Sequence, residues 1–193
     1  MARPKAFDPA QALDCALEVF WHQGYEATSL QDLLEAMHLS KSSFYETFCS
    51  KHTLYLQAMD RYRETAIAQY VHRLGEQDDG RQAIAEVFAA LVDQLDCPQG
   101  RRGCFMNNAA VESALHDAAT EARVREAQCA LEDAFFRAVK RAQAHGQIAL
   151  EKDPRALARF LTSSMHGLLV MAKLAPGRQA LEDVAHVVIS TLA

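Results

Sequence analysis

The chain has 193 residues, half of them hydrophobic, with 20 Lys and Arg against 25 Asp and Glu and a net charge of −5. That length holds one large domain or two small ones with a real core, and the acidic balance excludes a protein that coats nucleic acid over its whole surface. Only eight glycines and five prolines interrupt it, and the abundant Ala, Leu, Gln, Glu and Arg favour an all-α fold.

No apolar run approaches the roughly 20 residues that span a bilayer. The segment from Met1 to Asp8 lacks the apolar core of a secretory leader, so a soluble, cytoplasmic protein is expected. Its five cysteines, an odd number, do not suggest a disulfide framework in that compartment.

In chain order, Arg3-Pro4-Lys5 is a short basic arm. Asp8 followed by Pro9 marks a helix start. This helix runs to Gln23, buries Leu13, Ala16, Leu17 and Phe20, and ends at Gly24. Trp21 and Tyr25 are expected to pack around that corner. Ser29 and Asp32 form a capping pair ahead of Leu30, Leu33, Leu34 and Met37, which recur at helical spacing. The chain breaks at Met37-His38-Leu39. Ser40 then caps a second short helix in which Phe44 and Phe48 share a face. Two helices of about eight residues around a turn of three or four match a helix-turn-helix. The outer side of the second carries Lys41, Ser42, Ser43 and Tyr45, which suit phosphates and base edges in a major groove. Periodicity alone does not separate this reading from a surface helix of an ordinary bundle.

The stretch resembles the DNA-binding domain of the TetR family of transcriptional regulators. The resemblance rests on Val19-Phe20-Trp21-His22-Gln23-Gly24-Tyr25, on Thr28-Ser29, on Phe44-Tyr45-Glu46-Thr47-Phe48 and on Lys51, and it fades beyond Tyr62. It implies an N-terminal three-helix DNA-binding domain over residues 1–50 and a C-terminal helical ligand-binding and dimerisation domain over 51–193. Lys41 and Lys51 are then expected on phosphates, with Ser42, Ser43 and Tyr45 on backbone or base edges. Thr28 and Ser29 would meet phosphate at a helix N-terminus. Two positions depart from the family pattern: His38 stands where glycine is common in the turn, and Cys49 where glycine or proline is usual. A left-handed His38 costs of order 1 kcal/mol. Up to Arg63 there are six Lys/Arg against eight Asp/Glu, so affinity per monomer should be modest and two linked half-sites needed.

Lys51 opens a long helix with Leu54, Tyr55, Ala58, Met59 and Tyr62 on one side. It is expected to run to about Leu74, stop at Gly75 and act as a lever between the domains. A polar linker from Glu76 to Gly80 precedes a helix from Arg81 to about Leu95. The Pro and Gly content of residues 97–104 reads as a loop. Further helices are expected from Phe105 to Leu115, from Asp117 or Thr120 to His145, from Asp153-Pro154 to about Leu174, and from Arg178 onward. The last two are unusually apolar. A stripe of Leu161, Leu168, Val184 and Val188 would be too large a patch on a soluble monomer, and the resemblance implies that these helices pair with a second copy as a four-helix bundle.

No Gly-rich phosphate loop, His-Glu-x-x-His or Gly-x-Ser-x-Gly is present, so neither an enzyme nor a cofactor is expected. Cys97, Cys104 and His116 fit no zinc spacing, and no metal is expected. A small-molecule pocket between facing helices would draw on Phe105, Asn108, Phe135, Met165 and His166. Arg101 and Arg102 beside Cys104 would favour its thiolate, and Cys97 could resolve an oxidised Cys104 as a disulfide. The plainer alternative is a small apolar residue tucked into the bundle. These features describe a homodimeric regulator, a repressor released from a pseudo-palindromic double-stranded operator by a small-molecule inducer. The rival is a helical ligand-binding or thiol-sensing protein with weak DNA affinity.

Overall fold

The structure, a computed structural model, describes residues 7–193, so the Arg3-Lys5 arm falls outside the described residues. Helix α1 (Pro9–Gln23) starts where the Asp8 carboxylate accepts the Ala10 N–H, with proline in the first turn. It buries Ala12, Ala16, Leu17 and Phe20, while Leu13 is only partly covered. Gly24 closes it at φ 87°, and a Cβ there would stand 2.8 Å from a Glu112 carboxylate oxygen. No other residue fits that corner without strain.

Helices α2 (Leu30–Met37), α3 (Lys41–Phe48) and α4 (Lys51–Tyr62) follow, each begun by a serine side chain that accepts an N–H of the first turn. The lever is not one uniform helix. A π-helical turn, Arg63–Ile67, separates α4 from α5 (Ala68–Glu76). Such a turn adds a residue to one winding and is frequent at functional sites. Asp79 caps α6 (Gly80–Leu95), which reduces the linker to residues 77–79. A short 3-10 turn (Pro98–Arg102) leads into α7 (Phe105–Glu112), which stops before Leu115. Asp117 caps the long α8 (Ala118–Ala144), and Asp153 caps α9 (Pro154–Met171), which runs on into a 3-10 turn (Ala172–Leu174). The last helix is α10 (Arg178–Ser190). Among the described residues no helix is long and apolar enough to cross a membrane.

One apolar core runs through both halves. Phe20, Leu33, Phe44 and Phe48 close the first three helices, and α4 seals them with Leu54, Tyr55 and Met59. An aromatic chain then leads onward: Phe20 to Tyr55 at 5.1 Å, Tyr55 to Phe105 at 5.6 Å, and Phe105 to Tyr62 at 5.7 Å between centroids. These edge-to-face contacts add to plain area burial, and they tie α4 to α7.

The expected dimer stripe needs correction. Leu161 and Leu168 are fully buried in their own chain, Val188 nearly so, and Val184 partly. The outward apolar residues are Phe160, Val170 and Leu174 after α9's first turns, and Val187 on α10. Helix α9 is apolar on two faces, and periodicity does not say which of them its own chain covers.

Candidate nucleic-acid interface

The two helices α2 and α3 meet at His38, which is left-handed at φ 53°, ψ 43°. The turn therefore keeps the conformation that glycine would favour, and bears a cost of order 1 kcal/mol. Cys49 closes α3 at φ 64°. Ser40 fixes the start of α3: its Oγ accepts the Ser43 N–H at 3.2 Å and lies 3.1 Å from Ser42 Oγ and 2.9 Å from Ser43 Oγ. Phe44 and Phe48 are buried, which anchors one side of α3 and turns the other outward.

That outer side carries Lys41, Ser42, Tyr45, Glu46 and Cys49, all exposed. Tyr45 is 46 % exposed, and its ring and that of Phe44 meet edge-to-face at 5.3 Å between centroids. Ser43 is half-covered and held against Ser40. Neither Glu46 nor Cys49 was expected as a DNA contact, although they lie four residues after Ser42 and Tyr45 and so share their face.

Around α3 the expected contacts divide. Ser29 is exposed, in a reciprocal cap in which its N–H donates to Asp32 at 2.7 Å and its Oγ accepts the Asp32 N–H at 3.1 Å. Those bonds lower the Asp32 pKa. Thr28 does not face solvent. It is 1 % exposed, and its hydroxyl donates to the Gly24 carbonyl at 2.5 Å. The threonine locks the corner after α1, so its side chain is not available to a phosphate. The Lys51 ammonium lies over the Tyr25 ring at 4.4 Å.

Several bonds fasten this unit to the rest of the chain. Glu112 on α7 accepts the Tyr25 N–H at 3.0 Å and the Glu26 N–H at 2.9 Å. Trp21 Nε1 donates to the Gly103 carbonyl at 3.1 Å, while the Arg102 guanidinium covers the Trp21 ring at 3.5 Å and pairs with Glu18. Arg61 grips Asp14 through two bonds of 2.7 and 3.0 Å. His52 on α4 meets Asp117 at the start of α8, 2.9 Å away.

Bonds from His52 and Thr120 hold the Asp117 carboxyl down to about 2, against about 4 in an unfolded chain. A depressed folded-state pKa gives stability that is present above about 4 and lost as pH falls toward 2. Asp117→Asn should therefore melt below the parent near neutral pH, and the gap in melting temperature should narrow as pH falls below about 4. A gap that stays constant across that range would mean that the charge of Asp117 does not contribute.

The expected ligand residues also separate. Phe105 and Phe135 are core side chains, so they support the bundle rather than line a site. Met165 and His166 border a small cavity of about 60 Å³ together with Tyr62, Tyr70, Gln94 and Cys104. Asn108 and His166 border a larger open cleft. Burial pushes the His166 pKa down.

Cys104 is not the activated thiolate that its neighbours in sequence suggested. It is buried, the Tyr62 hydroxyl donates to its Sγ at 3.5 Å, and burial pushes its pKa up. Arg102 is turned onto Trp21 and Arg101 is exposed, while the Cys97 Sγ–H donates to the Gln94 carbonyl at 3.1 Å. A bulky thiol reagent should thus reach the exposed Cys49 and Cys129 well before Cys104. Peptide mapping after brief treatment with a polyethylene-glycol maleimide checks the order, and early modification of Cys104 would contradict it.

A capped helix pair around a left-handed turn, with the polar face of the second helix outward on a helical body, defines a helix-turn-helix transcriptional regulator. The chain belongs to the TetR family: residues 12–58 match the model described as bacterial regulatory proteins, tetR family, and residues 80–188 match the tetracyclin repressor-like C-terminal domain. It is 36 % identical over 193 residues to the uncharacterized HTH-type transcriptional regulator YezE of Bacillus subtilis (strain 168), covering 100 % of both chains. It is 32 % identical over 186 residues to the HTH-type transcriptional repressor ComR of Escherichia coli (strain K12), covering 95 % of this chain and 88 % of that one. Among solved structures, a cysteine mutant of the TetR family regulator CifR with 26 bp double-strand operator DNA superposes with a TM-score of 0.89 at 29 % identity, over 99 % of this chain and 100 % of the other.

Proposed function

We propose that the protein is a homodimeric, cytoplasmic repressor that sits on a pseudo-palindromic double-stranded operator and leaves it when a small-molecule inducer binds. Residues 1–50 serve the DNA and residues 51–193 the inducer and the second copy. The observation that carries this reading is the outward face of α3, where Lys41, Ser42 and Tyr45 stand exposed on a helix anchored by Phe44 and Phe48. Lys41 takes phosphate, and Ser42 and Tyr45 reach base edges. Ser29, Ser43 and Lys51 flank them. The similar regulator CifR is complexed with 26 bp double-strand operator DNA, which supports operator binding by a chain of this fold.

Dimerisation fits the exposed Phe160, Val170 and Val187, since a soluble chain seldom leaves such a stripe bare. In the dimer the two copies of α3 must meet half-sites about 34–36 Å apart or a multiple of it. A change of a few Å in that spacing then weakens binding. The bonds of Glu112, Trp21 and His52 across the joint carry motion from the C-terminal helices to α1 and α4.

Gel shift with DNA from upstream of the protein's own gene, against shuffled DNA, tests the reading. The expected result is a specific shift that weakens steeply with salt. Equal affinity for shuffled DNA, from folded dimeric protein, would overturn it in favour of a ligand-binding protein with weak DNA affinity.

A further inference from the structure

A cleft of about 1320 Å³ separates the end of α1 from α7 and α9. One wall is Trp21 to Gly24; the others come from the Pro98–Arg102 turn, from α7 and from the outer side of α9. It lies between two structural units, where ligand sites concentrate, and is larger than most of them.

Its chemistry is lopsided. Arg101, Arg102 and Lys173 line it, while the one lining carboxylate, Glu112, has both oxygens taken by the Tyr25 and Glu26 N–H groups. Arg102 is matched by Glu18. Arg101 is exposed, and Lys173 Nζ meets the neutral Asn108 Oδ1 at 2.5 Å. Two cations are thus left without a carboxylate partner among the described residues. Beside them stand apolar groups facing solvent, Val111 at 88 % and Val170 at 55 % exposure.

We infer that this cleft binds an organic anion with an apolar body, the acid group at Arg101 and Lys173 and the body against Val111, Val170 and Trp21. The proposal deepens, and rests on, the reading of the protein as an inducer-responsive regulator. Gly167 and Val170 belong also to the outward stripe of α9, so the second copy closes the open side. The anion end lies beside the joint. Lys173 Cε lies 2.9 Å from where a Cβ of Gly103 would stand, and the Gly103 carbonyl accepts Trp21 Nε1. Lys173 thus stands next to the residue that fastens α1 to the C-terminal helices, and a carboxylate held by it adjoins that fastening.

Trp21 is the only tryptophan of the chain, so its fluorescence reports occupancy without a label. The full-length dimer is titrated with decanoate, below its micelle concentration, and with decanol and decyltrimethylammonium for comparison. Operator release is followed separately by anisotropy. The expected result is a saturable Trp21 change with decanoate alone, about tenfold weaker in Arg101→Gln with Lys173→Gln, a variant that still dimerises and shifts operator. No saturable change, an equal response to decanol, or unchanged affinity in the variant overturns the site. Saturable binding without operator release upholds the site and overturns the inducer reading instead.

Discussion

Tyr45→Ala should lower operator affinity by about 1–3 kcal/mol per half-site while leaving the melting temperature unchanged. Tyr45 is 46 % exposed, its ring edge-to-face with that of Phe44, so it packs only in part and its loss leaves the buried Phe44 and Phe48 in place. Lys41→Ala should behave differently. A phosphate contact carries no sequence information, so operator and shuffled DNA should weaken together, and the salt slope should fall by about one per monomer. Anisotropy titrations at several salt concentrations separate the two signatures. If both variants keep parental affinity, α3 does not read DNA through this face.

Phe160→Glu combined with Val187→Glu should give a folded monomer of 21.4 kDa by light scattering where the parent gives twice that mass. Both side chains face outward, so the charges cost nothing until a second copy approaches. Operator binding should then drop by about 10²–10⁴, the gain that linking two half-site contacts supplies. Leu161→Ala is the control. That residue is fully buried in its own chain, and its truncation should cost about 2–5 kcal/mol of folding stability without dissolving the dimer. A dimer that survives both charges would refute the assigned face.

Much of the DNA-reading unit was legible because its boundaries are local. Asp8, Ser29 and Ser40 each accept an N–H within three residues, and Gly24 supplies the positive φ that ends α1. Such signals need no distant partner. His38 shows the same economy: the turn keeps its left-handed geometry without a glycine because the flanking helices are anchored by Met37 and Phe44.

Other features depended on which surfaces met. Thr28 looked like a phosphate ligand until its hydroxyl found Gly24, and Cys104 looked activated until Arg102 stacked on Trp21. Neither partner is fixed by spacing along the chain. The π-helical turn at Arg63–Ile67 left no mark in the hydrophobic pattern, because one inserted residue shifts the apolar positions too little to be read over a single winding. The sequence alone determined the family, most of the helices and the caps at Asp8, Ser29, Ser40 and Asp153, through short-range hydrogen bonds and period. Only the tertiary structure decided which apolar face of α9 is core, that Thr28 turns inward onto Gly24, and where a cleft opens beside Trp21. Those depend on contacts between residues far apart in sequence, such as the bond joining Trp21 and Gly103, and burial is a property of neighbours rather than of the residue.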